Sequence, residues 1–405
     1  METQRFVRQQ AVVMYYYHQR AKASICEQLG CSRPTLDRWL SRYDPDDPIA
    51  SLEDRPSGPK QPTGGWSADI HQQVIEMRRH RTNRNESAYT LIGARAIHYE
   101  LKALGSREVP PVRTIHQWLA QAGLVSSKTS DDGNNAKEKK PIPLPDANVV
   151  NCVHQLDLKG PIYLRGCSHK HYLVVLRDRK SRRCAISALQ SRQADGIVAF
   201  LVTTWQSMGL PKYLQMDNAL EFRGSNRYPR AFGRVVRMAL DLDIEPVFNP
   251  PSEPWRNGCI ERFNGFIEER LLGIEFESFS ALINETSVCQ NVCNSTHRLK
   301  ALDGMTPNEY VGDFLPRQLG SHYQRHRLKR LPQNKGYVSF VRLVRKSGRI
   351  TLGATDRFMV DPQLAWTYVL ARVNLAKKRV VILQDDEIIV SYDYSKNTVG
   401  AWAGD

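Results

Sequence analysis

A chain of 405 residues with 57 Lys+Arg against 42 Asp+Glu, a net charge of +15, is neither a small single domain nor an acidic enzyme. At about 150 residues per domain, two or three domains are expected, and with 41% hydrophobic and 24% charged residues the chain can build real cores. No run reaches the ~18 consecutive apolar residues of a membrane span, and METQRFVRQQ lacks a secretory signal, so the sequence predicts a cytoplasmic protein without a membrane partner. The eight cysteines form no C-x-x-C pair and are expected to be reduced thiols rather than disulfides or a zinc knuckle. A surplus of positive charge in such a chain points to a polyanionic partner, nucleic acid first.

The first element expected is a helix over residues 6–20. After it, Ile25 and Leu29 stand four apart, Gly30 offers a left-handed turn, and Ser32 can cap a second helix that carries Leu36, Trp39 and Leu40 inward. This is the pattern of a helix-turn-helix over residues 1–46, with Arg33, Thr35, Arg38 and Arg42 facing outward toward a DNA groove. Residues 47–66, rich in Pro, Gly and Asp, read as a connector. The signature Thr35-Leu36-x-x-Trp39-Leu40 recurs as Thr114-Ile115-x-x-Trp118-Leu119, so residues 67–125 are expected to form a second module presenting Arg113, His116 and Gln117. Two modules would give a bipartite grip on double-stranded DNA. Residues 126–145, polar, then charged, then Pro-alternating, read as a linker.

From residue 146 to 318, strand-length apolar runs alternate with helical periods, the pattern of a mixed α/β domain. Residues 149–157 are expected to be a strand that ends on Asp157, and two further strands then complete an antiparallel meander. After a helix, residues 212–216 form a short strand delivering Asp217. Further on, Ile260, Phe263, Ile267 and Leu271 mark the apolar face of a helix whose polar stripe carries Asn257, Glu261, Asn264 and Glu268. Two strand-end aspartates and one helix glutamate suit a two-metal site, since magnesium takes hard oxygen ligands and keeps positions open for phosphate and water. Asp178, flanked by Arg177 and Arg179, is the rival to Asp157 and reads better as a turn salt bridge, while Glu221 reads as structural and Glu268 as a solvated charge.

Asp157, the run Asp217-Asn218-Ala219-Leu220-Glu221-Phe222 and the run Asn257-Gly258-Cys259-Ile260-Glu261-Arg262-Phe263-Asn264 resemble the DDE motifs of bacterial insertion-sequence transposases with a retroviral-integrase-type core. The segment from His297 through Asp303-Gly304-Met305-Thr306-Pro307 to Tyr310 resembles the part that closes such a core. The 43 residues between Asp217 and Glu261 exceed the family's usual gap, with the excess placed near residues 223–230, and Ala219 stands where the family usually has Gly. The resemblance implies an RNase H-like core with Asp157, Asp217 and Glu261 as catalytic ligands of two Mg2+ (or Mn2+) ions. Asn218, Asn257, Arg262 and Asn264 would stand beside that site. It also implies transposon-end and target DNA as substrates, 3′-end cleavage and strand transfer as the reactions, and a homo-oligomeric synaptic complex on the bacterial nucleoid. An ATPase accessory protein is a candidate further partner.

Residues 319–350 carry nine basic side chains and no acid, Arg325, Arg327, Lys329 and Arg330 foremost as DNA contacts. Short apolar segments at 337–344, 349–352, 357–360, 368–373, 380–383 and 388–392 are spaced like the strands of a small C-terminal β-barrel, SH3-like by the same resemblance, within 319–400. The whole reads as a multidomain chain: all-α tandem helix-turn-helix modules, an α/β core and a β-barrel.

Overall fold

The computed structural model of the chain describes residues 2–53, 65–83, 88–125, 141–224, 230–251, 253, 258–323, 328, 334–353 and 356–395. Two compact units divide it, Met1–Ser67 and Ala68–Asp405. Among the described residues no helix is long and apolar enough to cross a membrane, and all eight cysteines are free thiols, three of them buried.

The first unit is built from α1 (Glu2–Val12), α2 (Lys22–Leu29) and α3 (Arg33–Leu40) around Ala11, Val12, Ile25, Leu36, Leu40 and Leu52. The expected helix 6–20 stops short: at Val13 it widens into a π-turn over Val13–Tyr17. That wider turn lets successive tyrosines leave on one side, with Tyr16 against the Tyr43 ring and Tyr17 hydroxyl 3.2 Å from that of Tyr43. Gly30 ends α2 at φ +60°, a backbone state open to glycine at no steric cost, and the Ser32 hydroxyl accepts the Thr35 N–H to start α3.

The second unit begins with α4 (Ala68–Thr82), α5 (Ala94–Ala103) and α6 (Val112–Gln121), whose apolar stripes meet at Ile70, Val74, Ile97, Leu101, Ile115 and Leu119. Arg113, His116 and Gln117 face solvent on α6. Tyr89 leaves this helical part and enters the core of the α/β part, donating to Glu285 Oε2 (2.5 Å) while its carbonyl accepts from His297 Nε2 (2.7 Å).

One nine-stranded sheet, in the order β11-β10-β9-β6-β5-β4-β1-β2-β3, runs through the rest. β1 (Val153–Ile162), β2 (His171–Asp178) and β3 (Cys184–Leu189) form the antiparallel meander, and β4 (Tyr213–Met216) and β5 (Glu245–Phe248) join β1 in parallel. Side chains alternate across the sheet. Leu156, Val174 and Leu176 meet α7 (Ala194–Met208) and α8 (Arg234–Asp241) on one face. Leu173, Val175 and Ile186 meet α9 (Gly258–Arg270) and α10 (Phe279–Ser295) on the other.

The C-terminal strands do not close a barrel. β6 (Tyr337–Leu343) pairs in parallel with β5, through Val247 opposite Ser339 and Phe248 opposite Phe340. β9 (Tyr368–Asn374), β10 (Arg379–Gln384) and β11 (Glu387–Asp393) then extend the same sheet, while β7 (Arg349–Leu352) and β8 (Asp356–Met359) form a separate hairpin. Five successive residues of β6 are buried, so this strand is covered on both faces and takes an interior place. The Phe248 and Phe340 rings stack at 5.0 Å across the seam.

Two histidines are buried uncharged. Trp205 Nε1 donates to His154 Nδ1 (3.3 Å), leaving the proton on Nε2 to bond Asn151 Oδ1 (2.9 Å). Burial lowers His154 to about 4 and His297 to about 4. The unfolded chain takes up these protons near pH 6.5 and the native state does not until about 4, so native stability is full above pH 6.5 and declines as the pH falls toward 4. Urea titrations over that range are expected to lose roughly 3 kcal/mol per histidine, and His297→Asn should remove one such increment; a flat profile in both proteins would refute the assignment.

Candidate active site

The carboxylates expected to act together come from three elements and line one cavity of about 380 Å³, with Lys159, Asn218, Asn249 and Glu253 beside them. β1 and β4 run parallel with Gln155 opposite Gln215. Asp157 and Asp217 each stand two residues further along, on the same face, where β4 ends and the strands part. Asp157 is thus mid-strand rather than at the strand end the sequence suggested, because β1 begins at Val153 and continues to Ile162 to pair with β2. Glu261 projects from the first turn of α9, whose opposite face is held by buried Ile260, Phe263, Ile267 and Leu271.

Buried amides fix these elements relative to one another. Gln155 Nε2 donates to Gln215 Oε1 (3.1 Å), and Gln215 Nε2 donates to Asn249 Oδ1 (2.8 Å), a chain across β1, β4 and the end of β5. Gln155 Oε1 also accepts the Ile260 N–H (3.0 Å), satisfying one of the free donors at the start of α9 immediately before Glu261. None of the three was singled out from the sequence. The available signal was periodicity: Gln155 and Gln215 each precede one of the cavity's aspartates by two.

Around the acids, Asn264 Nδ2 donates to Asp157 Oδ2 (2.5 Å), which puts Asn264 beside the first aspartate. Its own Oδ1 is buried with no hydrogen-bond partner among the described residues. Lys159 Nζ lies 3.9 Å from Asp157 Oδ2 and 3.1 Å from Glu268 Oε1, which accounts for Glu268 outside the acid cavity. Asp217 Oδ1 accepts the Ala219 N–H (2.9 Å). Ala219 has φ −57°, so alanine in place of the family's glycine carries no backbone cost. Burial raises Asp157, opposed by Lys159 and reinforced by Asp217. Burial also raises Asp217, opposed by the Ala219 N–H and reinforced by Glu221; at the cavity rim this push is screened by solvent.

The rival acids are engaged elsewhere. Asp178 is fully buried and forms no turn salt bridge with Arg177 or Arg179; it accepts from the Asn151 N–H (3.2 Å), the Ser181 N–H (2.8 Å) and the Ser181 hydroxyl (2.5 Å). Glu221 is ion-paired with Arg192.

Asn218 is locked from the far side. Its Nδ2 donates to the Asn249 carbonyl (2.7 Å), and its Oδ1 accepts from Arg342 (2.8 Å). Arg342, expected on a basic surface, is instead buried on β6 and donates as well to the carbonyls of Asn249 (3.1 Å), Val341 (2.8 Å) and Thr351 (2.9 Å). Burial, with Arg223 adding, pushes its guanidinium down to about 9, still cationic at neutral pH.

Arg262 is exposed on α9 and lines a second cavity rather than the acid one. Arg33 and Arg38 are exposed on α3, Thr35 bonds the Ser32 hydroxyl (2.8 Å), and Arg42 donates to the Glu53 carbonyl (2.8 Å). Asn257, Arg325, Arg327, Lys329 and Arg330 lie outside the described residues, as does most of the 223–230 segment.

The donor chemistry of the acid cavity fits divalent cations: the three hard carboxylates of Asp157, Asp217 and Glu261, with Glu253 and a single ammonium beside them, and an amide that orients one carboxylate. Among the described residues, no three His, Cys, Asp or Glu side chains are drawn close enough to hold an ion between them.

No family model and no curated protein matches the chain. Among solved structures, the HTLV-2 integrase catalytic core domain in complex with magnesium aligns over 40% of this chain and 95% of its own, at 18% identity and TM-score 0.30. The catalytic core domain of BIV integrase aligns over 39% and 92%, at 17% identity and TM-score 0.30. A simian T-cell lymphotropic virus intasome in complex with PP2A regulatory subunit B56 gamma aligns over 79% and 97%, at 12% identity and TM-score 0.35.

Replacing Arg342 by Met strands Asn218 Oδ1 and removes one of the two donors to the Asn249 carbonyl, and should cost about 3 kcal/mol in denaturant unfolding. Arg342→Lys should restore only part of it, since an ammonium cannot reach all four acceptors. Equal stability of the three proteins would contradict this.

Proposed function

We propose that this chain is a DNA transposase that frees a 3′-hydroxyl at transposon-end DNA and joins it to target DNA. The observation that carries the reading is the convergence of Asp157, Asp217 and Glu261 on one cavity from a mid-sheet strand, a strand end and a helix start. Those three residues would hold the divalent ions, which when bound supply the positive charge that activates an attacking oxygen and stabilises a leaving one.

The protein's own contribution is placement. Gln155 holds the start of α9, and so Glu261, against β1, while Asn264 orients the Asp157 carboxylate. Arg342 and Asn249 hold Asn218, and with it the turn that presents Asp217. In the first step a water oxygen attacks phosphorus at the transposon end, the bond to the 3′-oxygen breaks, and that oxygen leaves as a 3′-hydroxyl. In the second, the 3′-hydroxyl attacks a target phosphorus in line, loses its proton, and displaces the target's own 3′-oxygen. Neither step needs a covalent bond to the protein. Two ends joining one target call for a homo-oligomeric complex. The outward residues of α3 and α6, including Arg33, Arg38, Arg113, His116 and Gln117, are suited to hold the ends by the groove and backbone.

Purified protein, a labelled transposon-end duplex and a target plasmid should yield strand-transfer product in Mg2+ and none in EDTA. Asp217→Asn should abolish product while retaining end binding, and Asn264→Ala should lower the rate by roughly 10–100-fold, as expected for a residue that orients a metal-holding carboxylate. Equal product from wild type and Asp217→Asn would overturn the proposal.

A further inference from the structure

On the other side of α9 from the acids lies a larger open cleft of about 1060 Å³. Its walls are the entry to α5, the turn between β2 and β3, the outer side of α9, and the segment after α10. Cys259, Arg262 and Phe266 of α9 line this cleft, while Ile260 and Glu261 line the acid cavity, so a single helix is the partition between them.

The charge in the cleft is one-sided. Eight basic side chains face two carboxylates, Asp146 and Glu269. Two of the eight are already engaged, Arg298 with Glu309 (2.7 Å) and Arg270 with Glu269 (3.7 Å). Arg95, Arg177, Arg179, Arg182, Arg262 and Lys300 form no ion pair among the described residues. The β2–β3 turn is built to present its arginines. Asp178 points inward to Ser181 and Asn151, leaving Arg177, Arg179 and Arg182 to flank it. Arg177 rests over the Phe263 ring (4.3 Å), Arg179 donates to the Pro145 carbonyl (3.1 Å), and Arg182 donates to Cys259 Sγ. These contacts fix the side chains without neutralising them. Burial pushes the Arg179 guanidinium below its ordinary value, with Cys259 and Asp146 opposing that push and Arg182 adding to it.

We infer that this cleft binds the phosphodiester backbone of duplex DNA that continues from the strand held at the acids. The inference rests on the transposase reading for the identity of the polymer. The shared wall favours a polymer: a backbone with a charge every few ångströms can pass from one cavity to the other around α9.

Arg95, Arg262 and Lys300 are exposed, so the combined variant Arg95→Gln, Arg262→Gln, Lys300→Gln removes three charges without opening a core. In the Asp217→Asn background, where no chemistry intervenes, binding of labelled duplex DNA is followed by anisotropy over a range of KCl. Affinity should fall roughly tenfold or more, and the slope of log K against log salt should shrink by roughly 3, about 0.9 per lost contact. An unchanged affinity and slope, or tighter binding of duplex RNA than of duplex DNA, would overturn the inference. An independent measurement uses no cleft variant: saturating DNA should slow alkylation of Cys259 several-fold relative to Cys167, and an unchanged Cys259 rate would likewise reject it. Strand transfer absent from wild type with these binding results intact would remove the transposase reading and leave the cleft standing; the reverse outcome would remove only the cleft.

Discussion

The site depends on a line of buried amides. Gln155, Gln215 and Asn249 sit on three adjacent strand paths, each donating to the next, and the Gln155 oxygen closes the line onto the first turn of α9. An amide carries both a donor and an acceptor, so such a line can run across parallel strands with no charge and few unsatisfied groups. In a low-dielectric interior, losing one member would leave its neighbours desolvated and unbonded, which makes the arrangement cooperative. Geometry at the acids therefore follows from the register of the sheet: once Gln155 is opposite Gln215, Asp157 and Asp217 are side by side.

Much of this was legible in sequence. The apolar stripe of α9, the Gly30 turn with Ser32 after it, and the alternation of strands and helices between residues 146 and 318 are local patterns, and local patterns survive folding. Joined to the resemblance, they single out Asp157, Asp217 and Glu261, three residues that line one cavity. The failures have a common cause: they concern what a residue meets at long range. The strand expected to end on Asp157 continues to Ile162, because pairing with β2 carries it onward. Arg342 belongs to the basic run of residues 319–350, yet four oxygen acceptors await it inside. The barrel was inferred from strand spacing, which is blind to the partner each strand selects.

The distribution of charge is also corrected. By sequence the positive excess belongs to the C-terminal stretch, while the residues 146–318 are nearly balanced. Folding redistributes it. Carboxylates of the central part are turned inward or paired, as with Asp178 and Glu221, while the arginines of the β2–β3 turn are collected on one wall. A segment of low net charge thereby acquires a strongly basic surface beside its acidic cavity, and the potential that a polyanion would meet is set by arrangement rather than by composition.

The seam between β5 and β6 bears on how such a chain can be divided. A boundary drawn at residue 319 falls in a loop by sequence, but β6 supplies the hydrogen-bonding partner of β5 and the ring that stacks on Phe248. A fragment ending there would expose β5 as a bare edge, flat, apolar and able to pair with any strand of matching pattern, including β5 of a second fragment. The C-terminal end of the chain is therefore part of the platform, and modular shuffling of such an end with that of another protein would have to preserve a strand rather than merely a linker.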